Sequence, residues 1–206
     1  MLGVVAKLRG DHATARSRYE EALVSARRAA DSSLEGLVLV TIGNLHHRRD
    51  EHADAIEAFN RALGMDLSRE NAAFLRSNLG AAHLALGDLD AADAFLREAL
   101  DASERMGLKV ILAEAGIRRG AVSAARGDIS RGLAEIEAGC TLARQIGASE
   151  PLTEGLLRRG ELLAQVDARA ARASLGEAEA LAQKDGHGDL LPKIRRALDA
   201  LSASST

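Results

Sequence analysis

A glycine that returns at a nearly fixed interval constrains this chain more than any other feature. Gly3, Gly43, Gly80, Gly120 and Gly160 are spaced 40, 37, 40 and 40 residues apart. Each sits in the same local pattern, clearest over residues 78–100. There Leu79, His83 and Leu86 share one helical face, Gly87-Asp88 interrupts it, and Leu89, Ala92, Leu96 and Ala99 share the next. Apolar residues at three- and four-residue steps mark amphipathic helices, and a glycine followed by an acid marks the turn between two of them. Glycine just past a helix end enters the left-handed region without a Cβ clash. Asp then accepts from the open N–H groups of the following helix, worth about 1 kcal/mol. The unit is a helical hairpin, and the chain reads as five.

The other positions of the hairpin recur in register. Turns fall at Gly10-Asp11, Asp50-Glu51, Gly87-Asp88, Gly127-Asp128 and Val166-Asp167, the last one residue early. A small residue follows at Ala15, Ala55, Ala92, Gly132 and Ala171, and a large apolar one at Tyr19, Phe59, Leu96, Ile136 and Leu175. Small residues let two helices approach, and the large one plugs the space opposite the arm glycine. Only 2% of the chain is aromatic and it has no Trp, while 47% is hydrophobic, so packing rests on aliphatic and small side chains at close range. With 206 residues there is length enough for a substantial core. The fold class expected is all-α.

Composition also narrows the partners. A formal charge of −3 and a pI near 6.1, with no Lys/Arg-rich tail, give no general attraction to phosphates, so nucleic acid is not an expected partner. Cys140 is the single cysteine, which leaves no internal disulfide and no cysteine-based zinc site. No apolar run reaches the roughly 20 residues of a membrane span, and the N-terminus lacks the order of a signal peptide. A cytoplasmic protein without a membrane partner is expected.

The repeated residues resemble the tetratricopeptide repeat, whose motif runs Leu-Gly-x-x-Tyr, then Ala-x-x-x-Phe, then Pro. The resemblance covers essentially residues 1–185. Departures are the absence of Trp, the absence of Pro at the end of the second helix, and His46, His83 or Ser123 in the Tyr place. The spacing exceeds the roughly 34 residues of the standard unit and is similar to the longer-helix variety of bacterial regulators, kinases and adaptors. The resemblance implies an α-solenoid of five hairpins in a right-handed superhelix, with repeats near 1–32, 33–67, 68–106, 107–147 and 148–185. Residues 186–206 then form a capping helix and frayed tail: Pro192 suits a first helical turn, and Leu191, Ile194, Leu198 and Leu201 make one apolar stripe. Met1 to Arg9 supply only the back half of a first arm, so a missing upstream part is expected, and Leu2, Val5 and Leu8 form an uncovered apolar flank.

By the same resemblance, the first helix of each hairpin lines a concave groove, in which Asn44, His47, Arg48, Phe74, Asn78, Arg118 and Arg158 are the candidate peptide-binding residues. A relative clamps peptide carboxylates with two Asn, two Lys and one Arg. Asn44, Asn78 and Arg118 fill the Asn and Arg places, but Val40 and Glu114 stand where the two Lys would be, so the attraction for an acidic tail is missing. Glu114 and Glu154 lie four residues before Arg118 and Arg158, the favourable order for an intrahelical pair of ~0.2–0.5 kcal/mol.

His46, His47, His52 and His83 invite a metal reading, since imidazole is a common zinc and nickel ligand. His46 and His83 take the Tyr place, and the pattern sets no carboxylate beside His52, so no metal is expected. His12 and His187 look isolated. There is no Gly-x-Ser-x-Gly elbow, phosphate-cradling loop or His-Glu-x-x-His, and Cys140 falls in an apolar place where a thiol is inert. The reading is a non-catalytic scaffold, without cofactor, that binds a peptide or helix of a partner protein. The alternative is a regulatory or self-associating module of a larger signalling or transcription-regulator chain, forming a homodimer through its incomplete first hairpin.

Overall fold

The structure, a computed structural model, describes residues 12–203, with side chains from residue 18 onward. Among the described residues are ten helices and no strand: α1 (His12–Arg28), α2 (Ser32–Arg48), α3 (His52–Leu63), α4 (Arg69–Ala85), α5 (Leu89–Met106), α6 (Lys109–Ala125), α7 (Ile129–Ile146), α8 (Ser149–Leu163), α9 (Ala168–Asp185) and α10 (Leu191–Ala203). The chain is all-α, as its periodicity requires. Gly3, the Gly10-Asp11 turn, the Leu2/Val5/Leu8 flank, the Ala15 side chain and the last three residues lie outside the description.

The punctuation between helices is largely the one that the residues announce. Gly87 and Gly127 adopt φ of 78° and 93°. The following Asp88 and Asp128 accept from the N–H groups of Ala91 and Arg131, at 3.2 and 3.1 Å. Asp167 caps α9 in the same way through Ala170 at 2.9 Å. The α2–α3 turn differs. Asp50 takes the left-handed place at φ 60°, and Glu51, the first residue before α3, makes no side-chain cap.

The chain divides within α5, between Phe95 and Leu96, into two compact units. In the first, α2 packs on α1 and α3, and α4 on both α2 and α3. Its core gathers Leu39, Val40, Ala55, Ala62, Leu75, Leu79 and Ala82 around the fully buried Phe59. A Cβ added at Gly43 would lie 2.4 Å from the Phe59 ring, so the ring occupies the space that the glycine leaves. Tyr19 packs with Val38 and Leu45 in a smaller cluster beside it.

The second unit runs by nearest neighbours from α6 to α10, with α8 also touching α6 and α10. Here glycines stand on both sides of a crossing. A Cβ on Gly120 would sit 2.8 Å from the Gly132 carbonyl oxygen, and one on Gly132 would sit 2.7 Å from the Gly120 oxygen, so the two backbones touch. Ile136 fills the remainder, and Leu175 does the same opposite Gly160. Pro192 is the second residue of α10, where its missing N–H costs nothing. Ile194 and Leu201 carry that helix into the core.

Candidate binding surface

Three of the candidate residues in the first unit come from the last turns of α2 and two from the middle of α4. Asn78 is buried, and its Nδ2 donates to Asn44 Oδ1 at 2.9 Å. The two asparagines, 34 residues apart, therefore join consecutive first-arm helices. A neutral amide pair satisfies itself at little desolvation cost, whereas an unmatched buried amide would cost about 1–3 kcal/mol. Phe74, half-buried, packs on the Phe59 core, so its ring is part of the packing. His47 Nδ1 lies 3.1 Å from His52 Nδ1 across the α2–α3 turn, with ring centroids 4.9 Å apart. One of the two nitrogens must carry the proton that the other accepts.

In the second unit, Arg118 lies on α6 and Arg158 on α8. The Arg118 side chain is 9% exposed and pairs with Glu114 on its own helix. It also pairs with Glu154 on α8 at 3.4 Å, and Arg158 reaches the other Glu154 oxygen at 3.8 Å. Glu114 is the partner that the four-residue spacing foretells. Glu154 to Arg118 crosses 36 residues and had no signal in the sequence. Burial, aided by the nearby Glu154 and Glu150 carboxylates, pushes the Glu114 carboxyl up against the opposing pull of Arg118. On Arg118 burial alone would lower the pKa, but the Glu114 and Glu154 charges outweigh it, and the guanidinium is raised. Arg118 is thus a buried, charged tie between two helices, whereas Arg158 is 35% exposed.

Two further histidine sites were not legible. His46 Nδ1 lies 2.7 Å from Glu51 Oε2, and at the corresponding place in the next hairpin His83 Nδ1 lies 3.1 Å from Asp88 Oδ2. The short acid Asp88 serves both His83 and the helix cap, while the longer Glu51 serves His46 and leaves the cap unmade. His187 is not isolated. Its Nε2 lies 3.0 Å from Ser149 Oγ, and that hydroxyl donates to Asp185, so His187 is the donor to Ser149. Serine, histidine and aspartate meet here, but the carboxylate holds the hydroxyl instead of orienting the ring, which is not the arrangement that activates a serine. It fastens the start of α8 to the end of α9. Burial pushes the Cys140 thiol up to about 11, leaving it protonated at neutral pH.

The family pattern described as tetratricopeptide repeat matches residues 1–68, and a second pattern of the same family matches residues 75–105. The chain is a tetratricopeptide-repeat protein. No curated protein matches it by sequence. Among solved structures it is similar to the Rap conjugation gene regulator of the plasmid pLS20 in complex with the Phr* peptide, with a TM-score of 0.78 at 16% identity, covering 98% of this chain and 61% of that one. Apo RapI gives 0.69 at 13% identity, covering 98% and 81%. Aspartyl phosphate phosphatase F from Bacillus subtilis gives 0.70 at 10% identity, covering 97% and 56%. This tetratricopeptide-repeat chain therefore spans less than two thirds of two of these relatives, and the likeness is one of fold. Repeats of this kind serve in general as non-catalytic interaction modules. No helix among the described residues is long and apolar enough to cross a membrane.

Proposed function

We propose that this chain is a non-catalytic scaffold that binds a peptide or helical segment of a partner protein on the first-arm helices of its repeats. Asn44, His47 and Arg48 on α2 are the contacts of the first unit, with the buried Asn78 on α4 holding Asn44 in place, and Arg158 is a contact of the second unit. Phe74 supports them by packing, and Arg118 supports them by holding α6 to α8. The observation that carries this reading is the Asn44–Asn78 amide pair on successive first-arm helices. It is supported by the fold shared with the pLS20 regulator, which was solved with a peptide bound. The bond to Asn78 fixes the partly exposed Asn44 amide, whose N–H groups can donate to the carbonyls of an extended backbone, which gives affinity without demanding a particular sequence. The reading takes residues 1–185 as the repeat array, residues 186–206 as its cap, and a cytoplasmic setting. No active site is part of it.

The burial of Arg118 decides how to test this. Removing it would damage the fold, and Asn44→Ala would take the partner from the buried Asn78 amide, so the informative variant is Arg48→Ala with Arg158→Ala, both on partly exposed side chains. Capture of partners from the source cell, followed by cross-linking of the bound segment, should fall at least tenfold in that variant while its thermal transition is kept. Unchanged capture would place binding elsewhere.

A further inference from the structure

From the α2–α3 turn we propose a binding site for a divalent cation of the zinc or nickel class, held by His46, Glu51 and Asp54. The nitrogen of His46 and one carboxylate oxygen from each acid all lie within 4.8 Å of one another. A metal with Zn–N and Zn–O bonds of about 2.0–2.2 Å sets its neighbouring ligand atoms about 3.3 Å apart. Binding would draw the three side chains together over that difference, and water would complete the coordination. One imidazole with two carboxylates is a donor set that borderline cations accept. Arg49 reaches Glu51 Oε1 at 3.1 Å, while the oxygen facing His46 is Oε2, 2.7 Å from Nδ1. Ligation through Nδ1 places the ring proton on Nε2.

The repeat supplies its own control. His83 and Asp88 form the same His–acid contact one hairpin later, at 3.1 Å. The place of Asp54 is there taken by Ala91, and in the α6–α7 hairpin by Arg131. The His–acid contact alone is thus an ordinary lock on the turn, and the third ligand is what makes the α2–α3 turn different. Sequence spacing hid the site because its ligands follow His46 by five and eight residues around a turn. The histidine-to-histidine contact of His47 and His52 lies beside it.

The test is a Zn2+ titration of the untagged full chain, followed by calorimetry or a competing chromophoric chelator. One Zn2+ per chain should bind, about tenfold or more weaker in Asp54→Ala and in His46→Ala, and unaltered in His83→Ala. Asp54 is exposed in the first turn of α3, and Ala91 shows that the fold accepts alanine there, so Asp54→Ala remains decisive even if His46→Ala loses stability. Absence of stoichiometric binding overturns the proposal. So does binding that survives Asp54→Ala, or binding lost only in His47→Ala, which would assign the ion to the histidine pair instead.

Discussion

The two units solve the same packing problem with opposite means. In the first, one aromatic ring, Phe59, fills the gap opposite one glycine, Gly43. In the second, Gly120 and Gly132 bring two backbones into contact, and a smaller Ile136 suffices. The polar features differ in parallel. The first unit joins its first-arm helices with a neutral amide pair, and the second with a buried guanidinium between two carboxylates. The repeat therefore fixes where a large group, a gap and a polar link must stand, but not their chemistry. The cost of breaking each unit should follow from the chemistry it chose.

The largest effect is expected at Phe59. The ring is fully buried at the centre of its cluster, and Phe→Ala in such a core costs ~3–5 kcal/mol, part lost transfer energy and part cavity. Against a total stability of ~5–15 kcal/mol this is severe. In a repeat protein the loss should stay near its origin. Hydrogen exchange on Phe59→Ala should show α1 to α4 losing protection before α7 to α10. Equal loss along the whole chain would mean that the two units unfold as one block.

Arg118→Ala comes next, at about 3 kcal/mol, because it strands Glu114 and Glu154 beside each other without their counter-charge. Asn78→Ala, which breaks the neutral link, should cost only about 1 kcal/mol. The two links also differ in pH response. The Glu114 carboxyl titrates higher in the folded chain than when unfolded, so between those values the folded state holds the extra proton. The contribution of this group to stability is full below the unfolded value and falls as pH rises through the folded one. Glu114→Gln should flatten that fall and Arg118→Ala should steepen it, while Asn78→Ala should leave it as it was. Urea unfolding across acidic to neutral pH reads all three, and parallel profiles for Glu114→Gln and the parent would exclude Glu114 as the source.

What the sequence made legible and what it hid separate along the same line. Gly43 against Phe59, Gly120 against Ile136, Gly160 against Leu175 and the caps at Asp88, Asp128 and Asp167 could all be read, because each depends on local spacing within one hairpin. The Asn44–Asn78 bond and the Arg118–Glu154 pair could not, because they join different repeats, nor could the Ser149–His187 contact, which joins the start of α8 to the connection after α9. Periodicity assigns a residue to a face, but the side chain it meets depends on the stagger between neighbouring hairpins. Phe74 stands between the two cases: its place in the pattern suggests a groove, and the structure packs its half-buried ring against the Phe59 core. His46 with Glu51 was hidden for a third reason, since the contact folds back around a turn whose geometry an unusual left-handed Asp50 sets.

That turn carries the smallest expected effect and the closest comparison. Asp50 at φ 60° stands where Gly87 and Gly127 stand in the next two hairpins. A left-handed conformation costs an ordinary L-residue roughly 1–2 kcal/mol, less for Asp, whose short side chain tolerates the region. Glycine removes that strain but adds unfolded-state entropy of roughly 0.5–1 kcal/mol. The two nearly cancel, so Asp50→Gly should stabilise by well under about 1 kcal/mol. Gly127→Ala, which has no polar side chain to ease the strain, should destabilise by about 1 kcal/mol. Nothing lies within 4 Å of a Cβ at Gly127, so that loss would be purely conformational. Asp50 also has a role outside the backbone, since its Oδ1 lies 3.8 Å from His52 Nε2. If chemical denaturation finds Asp50→Gly clearly less stable than the parent, the acid at this turn is kept for its contact with the histidines, and the strained backbone is the consequence of that contact.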